Sequence, residues 1–292
     1  MGTETIVRNP GGAFGQVLRN WRRTRGLSQL SLALESEVSQ RHISFLESGR
    51  SHPSREMVLR LATVLDVSLR EQNVLLAVAG FAQAYQERDL DDPTMAQVRK
   101  ALDFMLRQQE PYPAVVVDRH WYVLAGNTAS TRLTAWLGDP RESPHYNVSD
   151  DRVNLMRFLF HPAGWRPFVT NWQEVAGWLI ERLHREVITD GQSVTSRALL
   201  DEMLTYPDVP RAWRTPNWEV ASTPLLTLDL LKDGLNLRSF STITTLGTPH
   251  DITLQELRLE SWFPADEATE NYFRTGVSSS GSIQTGDSRS LG

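Results

Sequence analysis

The sequence predicts two domains of different class. The first is an all-α N-terminal domain of five short helices; the second is an α+β domain in which an antiparallel sheet packs with helices. Three observations carry this. Between residues 14 and 80, apolar side chains recur three and four apart in short runs opened by serines and closed by glycine or polar turns. From residue 114 the order becomes two strand-like segments, several helical ones, then three strands, a segregation that fits an antiparallel sheet with helices to one side. The chain has 292 residues, 40% hydrophobic and 22% charged, which is more than one small domain and enough for two cores.

Residues 1–12 read as a flexible tail. The first helix runs from about Phe14 to Thr24, with Phe14, Val17, Leu18 and Trp21 as its inner face and Arg19, Arg22, Arg23 and Arg25 outside it. Ser28 suits the N-cap of a second helix whose inner side carries Leu32 and Ala33. Leu30 and Leu34 make another face of that helix more apolar than a solvated one needs, so it is either a contact surface or a pair of ordinary exposed leucines. Glu37-Val38-Ser39 breaks the helix, and Ser39 can cap a third with Ile43 and Leu46 inside. Gln40, Arg41 and Ser44 lie on its outer face. These side chains hydrogen-bond base edges and phosphates, and a helix-turn-helix places its recognition residues at this end of this helix. Ser54 caps a fourth helix, with Glu56 in its positive first turn and Met57, Val58, Leu61, Ala62 and Leu65 buried. Val67 to Ala79 forms a fifth, ending at Gly80.

Residues 81–93 are polar and acidic and read as a linker. Asp92 caps a helix with Pro93 in its first turn and Val98, Ala101, Leu102, Met105 and Leu106 on its apolar face; it ends before Pro111 and Pro113. It either joins the domains rigidly or pairs with its copy in a dimer. Ala114–Val117 and Trp121–Leu124 form a hairpin around Asp118-Arg119-His120. Asn127 caps a helix from Thr128 to Leu137, closed by Gly138, and capping suffices to explain it. Ser149, Asp150 and Asp151 open a helix through Val153, Met156 and Leu159, ending before Pro162. Asn171 with Glu174 forms a variant capping box ahead of a long helix with Trp172, Val175, Leu179, Leu183 and Val187 on one face. Short helices follow at Arg197–Leu204 and Pro210–Trp213. Strands return at Leu225–Leu231 and Leu235 to about Leu246, joined by an Asp233-Gly234 turn. Gly247–Asp251 turns again, and Leu257 and Leu259 alternate with charged residues in the last strand. The serine- and glycine-rich tail, 276–292, is expected to be disordered.

Composition removes several functions. There are no cysteines, so disulfides and thiolate metal sites are excluded. The seven histidines show no metal-ligand spacing on one helix, and no P-loop, dinucleotide glycine pattern or nucleophile elbow occurs, so no catalytic residues, metal or cofactor are assigned and an enzyme is not expected. The start lacks an apolar run and no stretch approaches a membrane span, so a cytoplasmic protein without membrane contact is expected. Net charge is −5, yet residues 1–80 hold ten arginines against seven acids, which leaves −8 for the rest. A basic head on an acidic body suits a DNA-binding domain joined to one that avoids DNA.

The pattern Leu27-Ser28-Gln29, Leu32-Ala33, Val38-Ser39, Ile43, Glu47 and Gly49 resembles the Cro/repressor-type (Cro/C1-type) helix-turn-helix of the XRE family of bacterial regulators. The likeness covers about residues 14–79, within a domain placed at 13–80. Where that family's turn has a small residue and then glycine, this chain has Ser36 and Glu37; a non-glycine residue in a left-handed turn costs on the order of 1 kcal/mol. The second half, 94–275, resembles the MmyB-like ligand-binding domain, a PAS-like module found behind such motifs in actinobacterial regulators. PYPAVVVDRHWYVLAGN at 111–127, NLMRFLF at 154–160, NWQEVA at 171–176 and ELRLESWFPAD at 256–266 carry that likeness. That family often has a histidine-proline pair before the first returning strand where this chain has Thr223-Pro224; if that histidine touches the ligand in relatives, the ligand here differs.

The resemblance implies a sequence-specific transcriptional regulator that binds duplex DNA as a homodimer on an inverted-repeat operator, with half-sites about one helical turn apart. Gln29 is expected at the backbone or first base, Ser39 beside it at the helix start, and Gln40, Arg41 and Ser44 at base edges. Arg50 with Arg19, Arg22 and Arg23 is expected on phosphates, although the helix-one arginines would also serve as a solubilising face. Glu47 is expected to pair with an arginine and orient the recognition helix. The second domain would sense a small, largely apolar molecule, fatty-acyl or a secondary metabolite. Eight of nine tryptophans lie beyond residue 120, enough to line an apolar cavity or simply to fill a core. Trp121, Trp136, Phe158, Trp172 and Trp178 are the candidate lining residues. Arg157, inside the apolar LMRFLF, would receive a ligand carboxylate or else face solvent or pair with a protein acid. The competing picture is a dimerisation or partner-docking module with a solid core and no ligand.

Overall fold

The computed structural model describes residues 10–150, 152–189, 193–216, 225–247 and 249–275. The expectations placed on residues 1–9, Asp151, Trp218, Thr223-Pro224 and the tail from 276 lie outside these described residues. The chain forms two compact units. One comprises Met1–Met95, Leu183–Ala198 and Leu246–Glu256; the other comprises Ala96–Arg182, Leu199–Thr245 and Leu257–Gly292.

The first unit contains α1 (Pro10–Thr24), α2 (Gln29–Glu35), α3 (Gln40–Glu47), α4 (Arg55–Val64) and α5 (Leu69–Val78). Serine caps open four of them: Ser28, Ser39, Ser54 and Ser68 each accept from the backbone N–H three residues on. The expected stripes meet in one core, in which Leu18, Leu32, Ile43, Leu46, Leu61 and Leu76 are fully enclosed. Gly15, which no periodicity singles out, sits where α1 lies on the end of α3. A Cβ there would collide with the backbone carbonyls of Leu46 and Glu47, so only glycine allows the two helices to approach this closely. Glu37 holds the left-handed turn conformation that the family pattern fills with glycine, at φ +55°. α1 begins four residues earlier than the apolar stripe suggests, because Pro10 suits a first helical turn.

Residues 81–95, expected to contain the linker, are pinned rather than loose. Asn73 Oδ1 accepts from the N–H groups of Ala84 and Tyr85 at 2.9 and 3.1 Å, and Gln86 pairs with Asp251 as an isolated bridge. The short α11 (Ile252–Glu256) belongs to this unit as well; it follows the turn expected at Gly247–Asp251, where the sequence reading assigns no element.

A 3-10 turn at Pro93–Met95 ends the first stretch of the first unit, and α6 (Ala96–Gln108) opens the second unit. Its sheet consists of β1 (Ala114–Val117), β2 (Val123–Gly126), β3 (Thr227–Lys232), β4 (Leu235–Thr245) and β5 (Arg258–Pro264) in the order β2-β1-β5-β4-β3, antiparallel throughout. The α+β class expected from strand segregation is therefore the class observed. β3 and β4 turn through Asp233 (φ +51°) and Gly234 (φ +78°), the left-handed pair a two-residue hairpin needs. The remaining helices are α7 (Thr128–Leu137), α8 (Leu155–Phe160), α9 (Trp172–Thr189), α10 (Val194–Met203) and α12 (Glu267–Thr275).

Four local expectations are corrected. β2 starts at Val123, not Trp121; Trp121 takes φ +69° and so leaves the strand. α8 starts at Leu155 behind Asn154, whose side chain caps it, so Ser149 and Asp150 open no helix. Asn171 serves the sheet more than it caps: its Oδ1 accepts from Asp229 N and its Nδ2 donates to Thr227 O, tying β3 to the start of α9. α12 has no counterpart in the sequence reading; Thr269, fully buried, fixes it by accepting from Arg238 N at 2.8 Å.

Candidate functional site

Glu47 organises the helix-turn-helix. Its side chain is fully enclosed at the end of α3 and takes three partners. Arg22 donates Nε to Oε1 at 2.5 Å and Nη2 to Oε2 at 3.0 Å; Arg19 Nε lies 3.4 Å away; Gln29 Nε2 donates to Oε2 at 2.9 Å. Burial alone would raise the Glu47 carboxyl. The hydrogen bonds from Arg22 and Gln29 and the charges of Arg22 and Arg19 outweigh it and hold the group below the usual carboxylate range.

This arrangement redistributes the residues expected at DNA. Arg22 is not outside but turned inward, its guanidinium divided between Glu47 and the Leu27 carbonyl. Arg19 and Gln29 are also held by Glu47. Ser39 Oγ is engaged as the cap of α3. Arg23, Gln40, Arg41 and Arg50 stay exposed and Ser44 half-buried. Arg41 and Arg50 lie over the Phe45 ring, at 5.2 and 6.0 Å from its centroid. The sequence reading missed Phe45 because it lies outside the buried stripe and reads as neither core nor base reader. Leu30 and Leu34 are 51% and 71% exposed.

In the second unit, a cavity of about 650 Å³ lies between the sheet and α7, α8 and α9. Val115, Leu228, Leu230, Glu260 and Trp262 line it from the strands; Leu133, Leu137, Phe158 and Trp178 line it from the helices. Trp121 and Trp165 complete the wall. The strand residues obey the period-2 rule: Glu260 pairs across the sheet with Val115 on β1 and Ile243 on β4, which sets Val115, Glu260 and Trp262 on one face. Trp121 is 1% exposed, and its positive φ is held where its ring meets the cavity. Trp165 is fixed by its indole N–H, which donates to Gly138 O at 3.0 Å.

Of the candidate lining residues, Trp121, Phe158 and Trp178 face the cavity. The others do not. Trp136 packs against Tyr272, and Trp172 against Phe160 with Arg166 stacked on it. Arg157 is bound by Glu202 through Nε and Nη2 at 2.9 to 3.1 Å, with Asp150 and the Tyr122 hydroxyl nearby. Burial opposes its charge, but the hydrogen bonds and charge of Glu202, with the Tyr122 hydroxyl, outweigh it and raise the guanidinium above its ordinary value. A bidentate internal carboxylate thus stands where a ligand carboxylate was expected. Trp165, Trp262 and Glu260 were missed. Strand alternation from Glu260 to Trp262 was the signal available, and it required knowing which face of β5 is covered.

A helix-turn-helix head joined to a domain with an apolar cavity defines a DNA-binding regulator with a ligand-binding domain. Residues 98–275 match the family model described as the MmyB-like transcription regulator ligand binding domain, and residues 18–72 match a helix-turn-helix model. The chain belongs to the MmyB-like transcription regulators. It is 41% identical over 75 residues to "Uncharacterized HTH-type transcriptional regulator RghRB" of Bacillus subtilis (strain 168), a match covering 25% of this chain and 52% of that protein. The chain thus spans about half the length of the curated relative it matches. Among solved structures it is similar to the restriction-modification controller protein C.AhdI from Aeromonas hydrophila, at 37% identity over 22% of this chain and 98% of that one, TM-score 0.21. It is also similar to the clp gene regulator ClgR from C. glutamicum, at 31% identity over 24% and 88%, TM-score 0.22. Among the described residues no helix is long and apolar enough to cross a membrane.

Proposed function

We propose that this regulator acts in the cytoplasm as a homodimer that reads an inverted-repeat operator, and that a small, largely apolar molecule in the second domain's cavity changes its operator affinity. The domain limits follow the sequence reading, 13–80 for the DNA-binding part and 94–275 for the sensing part. The observation that carries the ligand reading is the cavity itself: about 650 Å³, walled by leucines, valines and four tryptophans. A module built only for docking or dimerisation has no use for an apolar space of that size.

At the DNA, Gln40, Arg41 and Ser44 read base edges while Arg23 and Arg50 take phosphates. Arg19, Arg22 and Gln29 act through Glu47, fixing α3 against α1, and Ser39 fixes its N-terminus. On this assignment Arg23→Ala lowers affinity for all sequences and reduces the salt slope by about 1, whereas Arg41→Ala also relaxes sequence preference.

The test is thermal unfolding of the full chain with a panel of fatty-acyl compounds and apolar metabolites, followed by operator affinity at fixed salt. A ligand specific to the folded state stabilises by about 2.7 kcal/mol at a hundredfold excess over Kd. Leu228→Trp, which fills the cavity from β3, should keep the fold and abolish the shift. A panel that leaves both unfolding temperature and operator affinity unmoved would refute the sensing role.

A further inference from the structure

We propose that the cavity recognises a neutral hydrogen-bond acceptor, the carbonyl oxygen of a ketone, ester or amide on an apolar chain, and that Trp262 and Ser241 donate to it. This rests on the reading of the cavity as the ligand site. Trp262 on β5 and Ser241 on β4 stand directly opposite in the strand register, and both belong to the cavity wall. Side chains paired in this way share one face of the sheet, with Cβ atoms about 4.5–5.5 Å apart. Among the described residues neither the Trp262 indole N–H nor the Ser241 hydroxyl has a hydrogen-bond partner. Trp262 is only 8% exposed, yet its nitrogen is not sealed in the protein as the equally unpaired Trp172 nitrogen is. Trp172 stands outside the cavity wall and Trp262 within it, so the open side of the Trp262 N–H is the cavity. Trp165 in the same wall is the contrast: its N–H is already given to Gly138 O.

Two donors on one patch of the sheet favour one head-group chemistry. An indole N–H can only donate, so a ligand group that meets Trp262 must accept, and an ammonium cannot. A donor left without an acceptor in an apolar wall is costly, and a ligand oxygen removes that cost on binding. A carbonyl oxygen has two lone pairs, one for each donor. A carboxylate also accepts, but it carries a full charge that an indole and a hydroxyl do not compensate. The Arg141 guanidinium in the wall is bridged to Asp139, and Arg157 is outside the cavity and held by Glu202. On the flanking strands the wall is apolar, with Val115 on β1 and Leu228 on β3, which suits the hydrocarbon part of the ligand.

The experiment titrates the full chain with eleven-carbon probes that differ at the head: 2-undecanone, undecylamine, undecanoate and 1-chloroundecane. Quenching of tryptophan fluorescence reports occupancy, since four tryptophans line the cavity and three remain when Trp262 is replaced. The ketone should bind about fivefold tighter than the amine or the carboxylate, the worth of one neutral hydrogen bond. Trp262→Phe keeps an aromatic ring and removes the N–H; Ser241→Ala removes the hydroxyl. Each should cost the ketone about fivefold and leave 1-chloroundecane, which has no carbonyl, where it was. Trp172→Phe, which removes an indole N–H outside the cavity, should leave both affinities unchanged. Undecylamine or undecanoate binding as tightly as the ketone would overturn the inference and leave the cavity reading intact. Native ketone affinity in either Trp262→Phe or Ser241→Ala would do the same. Failure of all four probes to bind would overturn both. If Trp262→Phe does not fold, Ser241→Ala and the head-group order of the native chain decide.

Discussion

At Glu47 a single carboxylate holds α1, α2 and α3 in register. It is enclosed and accepts from Arg22 and Gln29, with Arg19 close by. Glu47→Gln leaves Arg22 buried without its counter-charge and should cost on the order of 3 kcal/mol, measured by urea unfolding of the full chain. The pH dependence follows from the depressed carboxyl. A group whose folded pKa lies below its unfolded value stabilises fully above the unfolded pKa, near 4.3 for glutamate, and loses that contribution as pH falls through the folded value. Native protein should therefore lose stability below about pH 4, and Glu47→Gln should flatten that part of the curve. Glu37, at φ +55°, works in the opposite direction: Glu37→Gly relieves a left-handed strain and should raise stability by about 0.5–1 kcal/mol without changing operator affinity. The sequence made Glu37's conformation legible through the turn pattern, and it gave the Glu47–arginine pairing in outline. It misplaced Arg22, because helical spacing fixes where a side chain leaves the helix but not where a long guanidinium ends. Phe45 and the cavity-facing Glu260 were illegible for a related reason: their neighbours come from elements distant in sequence.

Among the elements, those with caps and periodic stripes were readable and those fixed by tertiary hydrogen bonds were not. α2, α3, α4 and α7 start at the side-chain caps that the sequence marks. α8 and the start of α9 depend on Asn154 and Asn171, whose side chains also reach other segments: Asn154 Nδ2 donates to His120 O, and Asn171 pairs with both a carbonyl and an N–H on one edge of β3. Asn127 shows how far such a residue exceeds its local role. Capping α7 at Ser130 N is what its position in the sequence explains, but Oδ1 also accepts from Ala114 N, and Nδ2 donates to Tyr112 O at 2.8 Å. It therefore locks the approach to β1 onto the start of α7, beside the cavity wall. Asn127→Ala should cost about 3 kcal/mol, well above the roughly 1 kcal/mol of a lost cap, because buried backbone groups lose their partners. Thermal unfolding measures this. Asn127→Asp restores the cap but not the Nδ2 bond and should recover part of the loss. A cost for Asn127→Ala no larger than that of an ordinary cap would reduce the residue to the role the sequence assigns it.

For the whole molecule, the proposed sensing role requires a route from the cavity to the helix-turn-helix, and residues 246–256 offer one. This stretch joins β4 to β5, which contribute Ser241, Glu260 and Trp262 to the cavity wall. Yet by its packing it belongs with the five N-terminal helices. Gln255 Oε1 accepts from Leu69 N at 2.7 Å at the start of α5, and Glu256 binds Arg70, which also pairs with Glu87. Asp251 binds Arg88 at 2.8 Å. No sequence-local pattern shows this, because a connection between two strands carries no mark of the helix it will meet. A ligand shifts DNA affinity only as far as it favours one arrangement of the molecule over another, with couplings typically on the order of 1–3 kcal/mol. If strain in β4 and β5 reaches the helix-turn-helix through this connection, Gln255→Ala with Glu256→Ala should leave probe affinity unchanged by tryptophan fluorescence and still permit operator binding. The two should then no longer be linked: saturating probe would alter the operator Kd of the native chain, measured by fluorescence anisotropy at fixed salt, and leave that of the double variant where it was. An undiminished response in the double variant would mean that the signal leaves the cavity by another path, of which α9, shared by the two units, is the continuous covalent alternative.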